Sequence, residues 1–187
     1  MITQGFDLPI LQWIHQNLQC GFLDGIMPAI THLGDAGILW IAVAIFLLLC
    51  KKWRYTGLSM ALALGMGLVL CNLILKPLVG RMRPFDYQLQ YFATYIPLLI
   101  EAPADYSFPS GHTIASFEAA TVLLLKNRKW GIPAMILAAL IAFSRLYLYV
   151  HYPTDVLASV VLGISIAYAA THIVDKGVLT RKKKNNI

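Results

Sequence analysis

Between Ser144 and Asp155 the chain reads Ser-Arg-Leu-Tyr-Leu-Tyr-Val-His-Tyr-Pro-Thr-Asp, and three of these residues can do chemistry together. His151 offers an imidazole, and Asp155 lies four residues on, close enough to fix its tautomer and raise its basicity. Arg145 adds a permanent cation. An imidazole oriented by a carboxylate is a nucleophile, and a guanidinium beside it can hold the oxyanion of the group attacked. The stretch closes one apolar segment, 131–143, and opens another, 156–170. Pro153 suits the first turn of a helix, where its missing N–H costs nothing. Ionisable groups set so deep in apolar sequence are costly and mark a site.

Two further clusters can join this one. Lys76-Pro-Leu-Val-Gly-Arg-Met-Arg83-Pro84 follows an uncharged run, and Pro109-Ser110-Gly111-His112 opens another apolar segment. Ser110 is a candidate N-cap, and Gly111 permits close approach to the free amides of a helix start, which favour anions. A phosphate between the clusters would meet Lys76, Arg83, Arg145 and the amides around Ser110 and Gly111. Several cations and a helix terminus suit a transferring phosphoryl group, whose charge spreads over its equatorial oxygens. Two histidines with different surroundings suggest a nucleophile and a general acid. His112 has no acid beside it in the sequence, so it is expected to donate a proton to the leaving oxygen.

The elements that must position these residues are membrane helices. Of the 187 residues, 58% are hydrophobic and 13% charged, with mean hydropathy +0.66. Residues 56–75 carry no charge and reach about 30 Å as a helix, one hydrocarbon thickness. Five spans are expected, near 36–50, 56–75, 112–125, 130–149 and 153–174. Residues 7–20 mix apolar and amide side chains and suit an amphipathic helix lying in the interface. If 7–33 also crosses, there are six spans. The fold class is therefore an all-α, multi-pass transmembrane bundle forming a single domain over 1–187.

Charge sets its orientation. The net charge of +6 is uneven: residues 1–50 hold no Lys or Arg, and clusters fall at Lys51/Lys52/Arg54, at Lys126/Arg128/Lys129, and at Lys176 with Arg181–Lys184. The positive-inside rule makes these cytoplasmic, with 181–187 a cytoplasmic tail. The ends at Lys76, His112 and His151 then share the extracytoplasmic face of the cell membrane. Basic residues there defy the topology rule and call for a local function. The basic balance reads as topology beside anionic lipid, so no nucleic-acid partner is expected. The first residues look unlike a cleavable signal. Cys20, Cys50 and Cys71 lack metal-ligand spacing and read as small hydrophobes. His15 and His32 read as interfacial or capping residues. The loop 85–108, rich in Tyr and Phe, suits either an aromatic belt or a lid over a headgroup.

Lys76-x6-Arg83-Pro84, Pro109-Ser110-Gly111-His112 and Ser144-Arg145-x5-His151-x3-Asp155 resemble, in order and spacing, the three-part signature of the type-2 phosphatidic acid phosphatase family. Each block alone is weak; the three together are specific, and they span 76–155. The resemblance implies a phosphohistidine on His151 supported by Asp155, with His112 protonating the leaving group. It implies that Lys76, Arg83, Ser110, Gly111 and Arg145 hold phosphate oxygens. It implies no metal or other cofactor, and no acidic cluster on the outer face looks like a metal cage. The expected substrates are lipid-linked phosphates: phosphatidylglycerophosphate, phosphatidic acid or undecaprenyl diphosphate. The alternatives are a vanadate-dependent haloperoxidase and a non-catalytic lipid-phosphate binder or transporter. The first is disfavoured because such relatives are soluble, the second because binding alone needs no acid–base pair. Oligomeric state is left open. Outside the signature, Glu118 reads as structural and Arg81 as a basic flank.

Overall fold

The computed structural model describes residues 3–184, with side chains described to residue 178. The expected tail at 181–187 lies outside the described side chains, and its last three residues lie outside the described residues. Helices α1 (Leu8–Leu18), α2 (Gly21–His32), α3 (Ile38–Leu49), α4 (Arg54–Leu68), α5 (Lys76–Val79), α6 (Pro84–Phe92), α7 (Gly111–Lys126), α8 (Arg128–Tyr147) and α9 (Pro153–Lys184) follow in order, with no strand among the described residues. A π-helical stretch, Val69–Leu75, joins α4 to α5 without a break. Such stretches change which face a helix presents and concentrate at functional sites. Here one delivers Lys76.

The middle of the bundle is α7, which packs on α8, α9 and α4. Its inward side chains are mostly small, including Ala119 and Ala120, and they meet Ala63, Ala138, Ala167 and Ala170 from the neighbours. Without a hydrophobic drive between helices in lipid, close backbone approach supplies the attraction. Gly163 of α9 shows how close: a Cβ there would stand 2.9 Å from the Ile114 carbonyl oxygen. Trp40 of α3 reaches the core with its polar end satisfied, Nε1 donating to Ser116 Oγ at 3.0 Å.

The outer faces carry exposed Leu58, Leu68, Leu73, Ile136, Leu157, Val161 and Ile173. Apolar area so extensive belongs against lipid. Among the described residues, three stretches are long and apolar enough to cross: Arg54–Phe92, Arg128–Tyr147 and Pro153–Val178; the bent pair Gly21–His32 and Asp35–Leu49, at 41°, would be a fourth if it is one span. The expected spans at 36–50 and 112–125 correspond to helices of 12 and 16 residues, shorter than the roughly 20 a bilayer core requires.

The first two helices are tied to the end of α8 and the turn after it. The apolar face of α1, Leu8, Leu11 and Ile14, is buried against Tyr147, Val150, Tyr149 and Tyr152. Asp24 and Thr31, toward opposite ends of α2, both bond the end of α8: Asp24 accepts from Tyr147 Oη at 2.6 Å, and Thr31 from Arg145 at 2.6 Å. The loop 85–108 is part helix, with the Tyr87 ring tilted against those of Tyr91 and Phe92 in α6.

Candidate active site

His151 owes its place to the way α8 stops. The amide of Tyr149 bonds the Leu146 carbonyl at 3.0 Å and that of Val150 bonds Arg145 at 3.2 Å, the paired bonds of a Schellman turn. That turn needs a left-handed residue, and Tyr149 takes φ +59° where glycine is usual. The strain, about 1–2 kcal/mol, is offset by burial of the Tyr149 ring and a hydrogen bond to its hydroxyl from Gln88 at 3.1 Å. The chain doubles back, and His151 drops into the interior, 2% exposed.

Its ring lies between a cation and an anion. Nε2 is 3.4 Å from Arg83 Nη1; Nδ1 is 3.7 Å from Asp155 Oδ2, just beyond hydrogen-bond length. Burial above all, then the Arg83 and Arg145 charges, hold its pKa down to about 3 against the opposing pull of Asp155. A neutral imidazole with its lone pair on Nε2 can attack once the long contact from Arg83 is released. Asp155, fully buried, sits in the first turn of α9, where it accepts from the Tyr152 amide at 3.0 Å and from Ser107 Oγ at 2.5 Å. An acid reaching back to the amide before its own helix is half of a capping box.

The expectation for Arg81 is corrected. It is no surface flank: it pairs with Asp155, and with Asp7 at 2.6 Å, donates to Thr154 Oγ1 at 2.8 Å, and lies 3.9 Å above the Tyr152 ring. Two buried carboxylates needed one cation between them, and a guanidinium can serve both.

Lys76 and Arg83 meet at Asp105, and Arg145 lies within electrostatic reach of Arg83. Arg83 donates to the Val150 carbonyl at 2.6 Å and the Asp105 carbonyl at 2.8 Å, and both Arg83 and Lys76 pair with the Asp105 carboxylate. Burial would raise the pKa of Asp105, but the bonds from Lys76 and Arg83 outweigh it and hold the group at about 2. An entering anion must therefore exchange with Asp105. Arg145 donates one Nη1 bond to Thr31 and keeps a buried, unpartnered Nε.

Ser110 stands at the N-cap of α7, but its hydroxyl caps no amide; it accepts from Thr113 Oγ1 at 3.0 Å, and the Ser110 amide is taken by Ser159 Oγ at 2.8 Å. Gly111 and His112 follow in the first turn, where amides lack intrahelical acceptors. His112 has an acid after all: Asp35 Oδ1 lies 2.8 Å from its Nε2, and Oδ2 lies 2.7 Å from His32 Nδ1. His32, expected to be an interfacial or capping residue, thus backs the acid beside His112.

A cavity of about 1030 Å³ opens from Lys76, Gly111 and His112 and runs between α3, α4 and α7 past Ile41, Leu64 and Leu68. Glu118 lines its depth with both carboxyl oxygens unpartnered, and a Cβ on Gly67 would stand 2.0 Å from Oε1. Among the described residues no cluster of His, Cys, Asp or Glu could hold a metal ion, and the three cysteines are free.

A helical membrane bundle that gathers two imidazoles, three cations and a helix start at one end is built to handle a phosphate. The chain belongs to the PAP2 superfamily, whose model matches residues 54–178. It is 33% identical over 178 residues to an undecaprenyl-diphosphatase of Sulfolobus acidocaldarius, covering 95% of this chain and 82% of that one. A PAP2-type phosphatidylglycerolphosphate phosphatase of Bacillus subtilis superposes with TM-score 0.73 at 27% identity, over 93% of this chain and 87% of that one. Aquifex aeolicus LpxE superposes with TM-score 0.74 at 26% identity, over 91% and 98%.

Proposed function

We propose that this chain is a membrane phosphatase that releases phosphate from lipid-linked diphosphates or phosphate monoesters, with a polyprenyl diphosphate as its first substrate. One observation carries the reading: Lys76 and His112 stand at the mouth of an apolar groove that runs on into the bundle. A phosphate at the mouth and a single long hydrocarbon chain in the groove fit that shape. The undecaprenyl-diphosphatase similarity over 95% of the chain favours the diphosphate.

In this reading His151 Nε2 forms a bond to phosphorus as the bond to the leaving oxygen breaks. His112 gives that oxygen a proton, releasing the lipid product. Water then attacks the phosphohistidine, His112 takes back a proton, and the N–P bond breaks to return neutral His151 and inorganic phosphate. Lys76, Arg83, Arg145 and the amides at Gly111 and His112 balance the charge on the equatorial oxygens. Asp155, 3.7 Å away, closes to a hydrogen bond on Nδ1 as the ring gains positive character. Cationic side chains do the work of an ion, so turnover persists in excess chelator.

With the basic clusters at Lys51, Lys126 and Lys176 on the cytoplasmic side, this reading puts the site on the extracytoplasmic face. In a background lacking the native cysteines, an impermeant reagent outside intact cells labels Ala104→Cys and spares Lys52→Cys; equal labelling overturns the orientation. For the substrate, purified protein is given undecaprenyl diphosphate, phosphatidylglycerophosphate and phosphatidic acid. Phosphate release is fastest from the diphosphate. A clear preference for a two-chain lipid reassigns the substrate, and no release from any overturns the enzyme reading.

A further inference from the structure

We propose that Asp35 is the positioning residue for His112: it fixes which ring nitrogen exchanges the proton and steadies the imidazolium. The inference rests on the proposed role of His112 as general acid. A carboxylate can only accept, so contact at 2.8 Å puts a proton on His112 Nε2 and leaves Nδ1 to exchange with the leaving oxygen. Protonated, the ring gives its Nδ1 proton to that oxygen while Nε2–H stays on Asp35. The electron pair left on Nδ1 then takes a proton from the attacking water.

Three features argue that this contact is built. Neither Asp35 oxygen caps a helix: Oδ1 faces His112 and Oδ2 faces His32 Nδ1 at 2.7 Å. The turn that carries Asp35 holds two successive left-handed residues, Ala36 at φ +48° and Gly37 at φ +67°, and a non-glycine residue adopts that conformation at a cost. The turn also sits directly on the histidine ring. A Cβ on Gly34 would fall 2.8 Å from His112 Cδ2 and 2.9 Å from Ile141 Cγ2, so only glycine lets the backbone come this near. Residues outside 76–155 thus complete the proton-donating half of the site, and His32 holds the far side of the carboxylate.

The test follows phosphoenzyme formation in a single turnover by rapid quench, with an alkyl phosphate and with p-nitrophenyl phosphate. The alkyl oxygen needs a proton to leave and the nitrophenolate does not, so loss of an acid shows only on the first. Asp35→Asn slows the alkyl phosphate about 10–100-fold and p-nitrophenyl phosphate less than about threefold, by weakening a general acid worth roughly 10²–10⁴-fold. Asp35→Ser gives the same pattern and guards against a folding artefact of one substitution, and Asp35→Glu recovers part of the loss. In His112→Ala, adding Asp35→Asn costs nothing further, since the ring it serves is gone. Equal losses on both substrates, or additive losses in the double variant, overturn the inference. If His112→Ala discriminates between the substrates and Asp35→Asn does not, Asp35 alone is refuted. If His112→Ala itself treats both alike, the acid assignment fails and the Asp35 role falls with it.

Discussion

His151 and His112 both feel the charge of Arg145, but they are held in opposite ways. His151 is 2% exposed and sits in a fully organised shell: Asp155 is gripped by Ser107, the Tyr152 amide and Arg81, and Arg81 is gripped in turn by Asp7. His112 lines the groove and leans on Asp35, a half-exposed acid on a tight turn between α2 and α3. A nucleophile that must attack one phosphorus gains from rigidity, because misplacement by about 1 Å costs about 10²-fold. A proton donor must serve first the leaving lipid and then water, so it belongs on the side where both enter. The difference teaches that the half proposed to attack is fixed by the bundle and the half proposed to donate by a tight turn at its mouth.

Variants can break that contrast, beginning with the largest effect. His112→Ala lowers turnover of a lipid alcohol ester by roughly 10²–10⁴-fold and that of p-nitrophenyl phosphate far less in steady-state assays; loss of equal size on both makes the two histidines equivalent. Arg81→Met should be the most damaging change to the scaffold. It strands Asp7 and Asp155 in the interior without their cation, which costs on the order of 3 kcal/mol. Thermal unfolding in detergent reads this as a marked fall in midpoint, and an unchanged midpoint sinks the claim that Arg81 braces the rigid half.

The rigid half also has a pH signature. Because the pKa of buried His151 is held at about 3, below the ordinary 6.5, its protonation favours the unfolded chain. Stability is unaffected above pH 6.5 and is lost progressively as pH falls from there toward about 3. His151→Gln removes that loss, so the gap between the two proteins narrows on acidification. NMR of the ring should show it neutral down to pH 5; a midpoint near 6.5 contradicts its buried setting. The smallest effect belongs to the mouth. Asp105→Asn frees Lys76 and Arg83 from their present counter-anion, and inorganic phosphate should inhibit several-fold more tightly, on the order of 1 kcal/mol. Weaker inhibition means that Asp105 arranges the cations rather than competing for them.

The contrast between the halves also explains what could be read in the sequence. His151, Asp155, Arg145, Lys76, Arg83, Ser110, Gly111 and His112 announce themselves because ionisable and helix-opening residues stand out against apolar spans. Direction brings two of the blocks together: α7 and α9 both begin at the site, and their far ends meet where Lys126 bonds Asp175 at 2.6 Å. Asp35, Asp7 and Asp105 were not legible. Each is a lone acid in a polar connection, and its meaning comes from contacts 77, 74 and 29 residues away. Asp35 did carry one local signal, the Gly34-Asp35-Ala36-Gly37 turn, but nothing local points it at His112. Arg81 was misread for a related reason. A cation beside two others in a basic block looks like a flank until its buried partners are seen. Ser110 misleads in the opposite sense, because a serine at a helix start usually caps, whereas here Thr113 reaches its hydroxyl instead.

The central claim is that His151, the enclosed imidazole, takes the phosphoryl group. Rapid acid-free quench of the protein with a radiolabelled phosphate ester, followed by peptide mapping, tests it directly. The account predicts base-stable, acid-labile phosphate on the peptide carrying His151, absent from His151→Ala and present in His112→Ala. Label that survives in His151→Ala and vanishes in His112→Ala would contradict it.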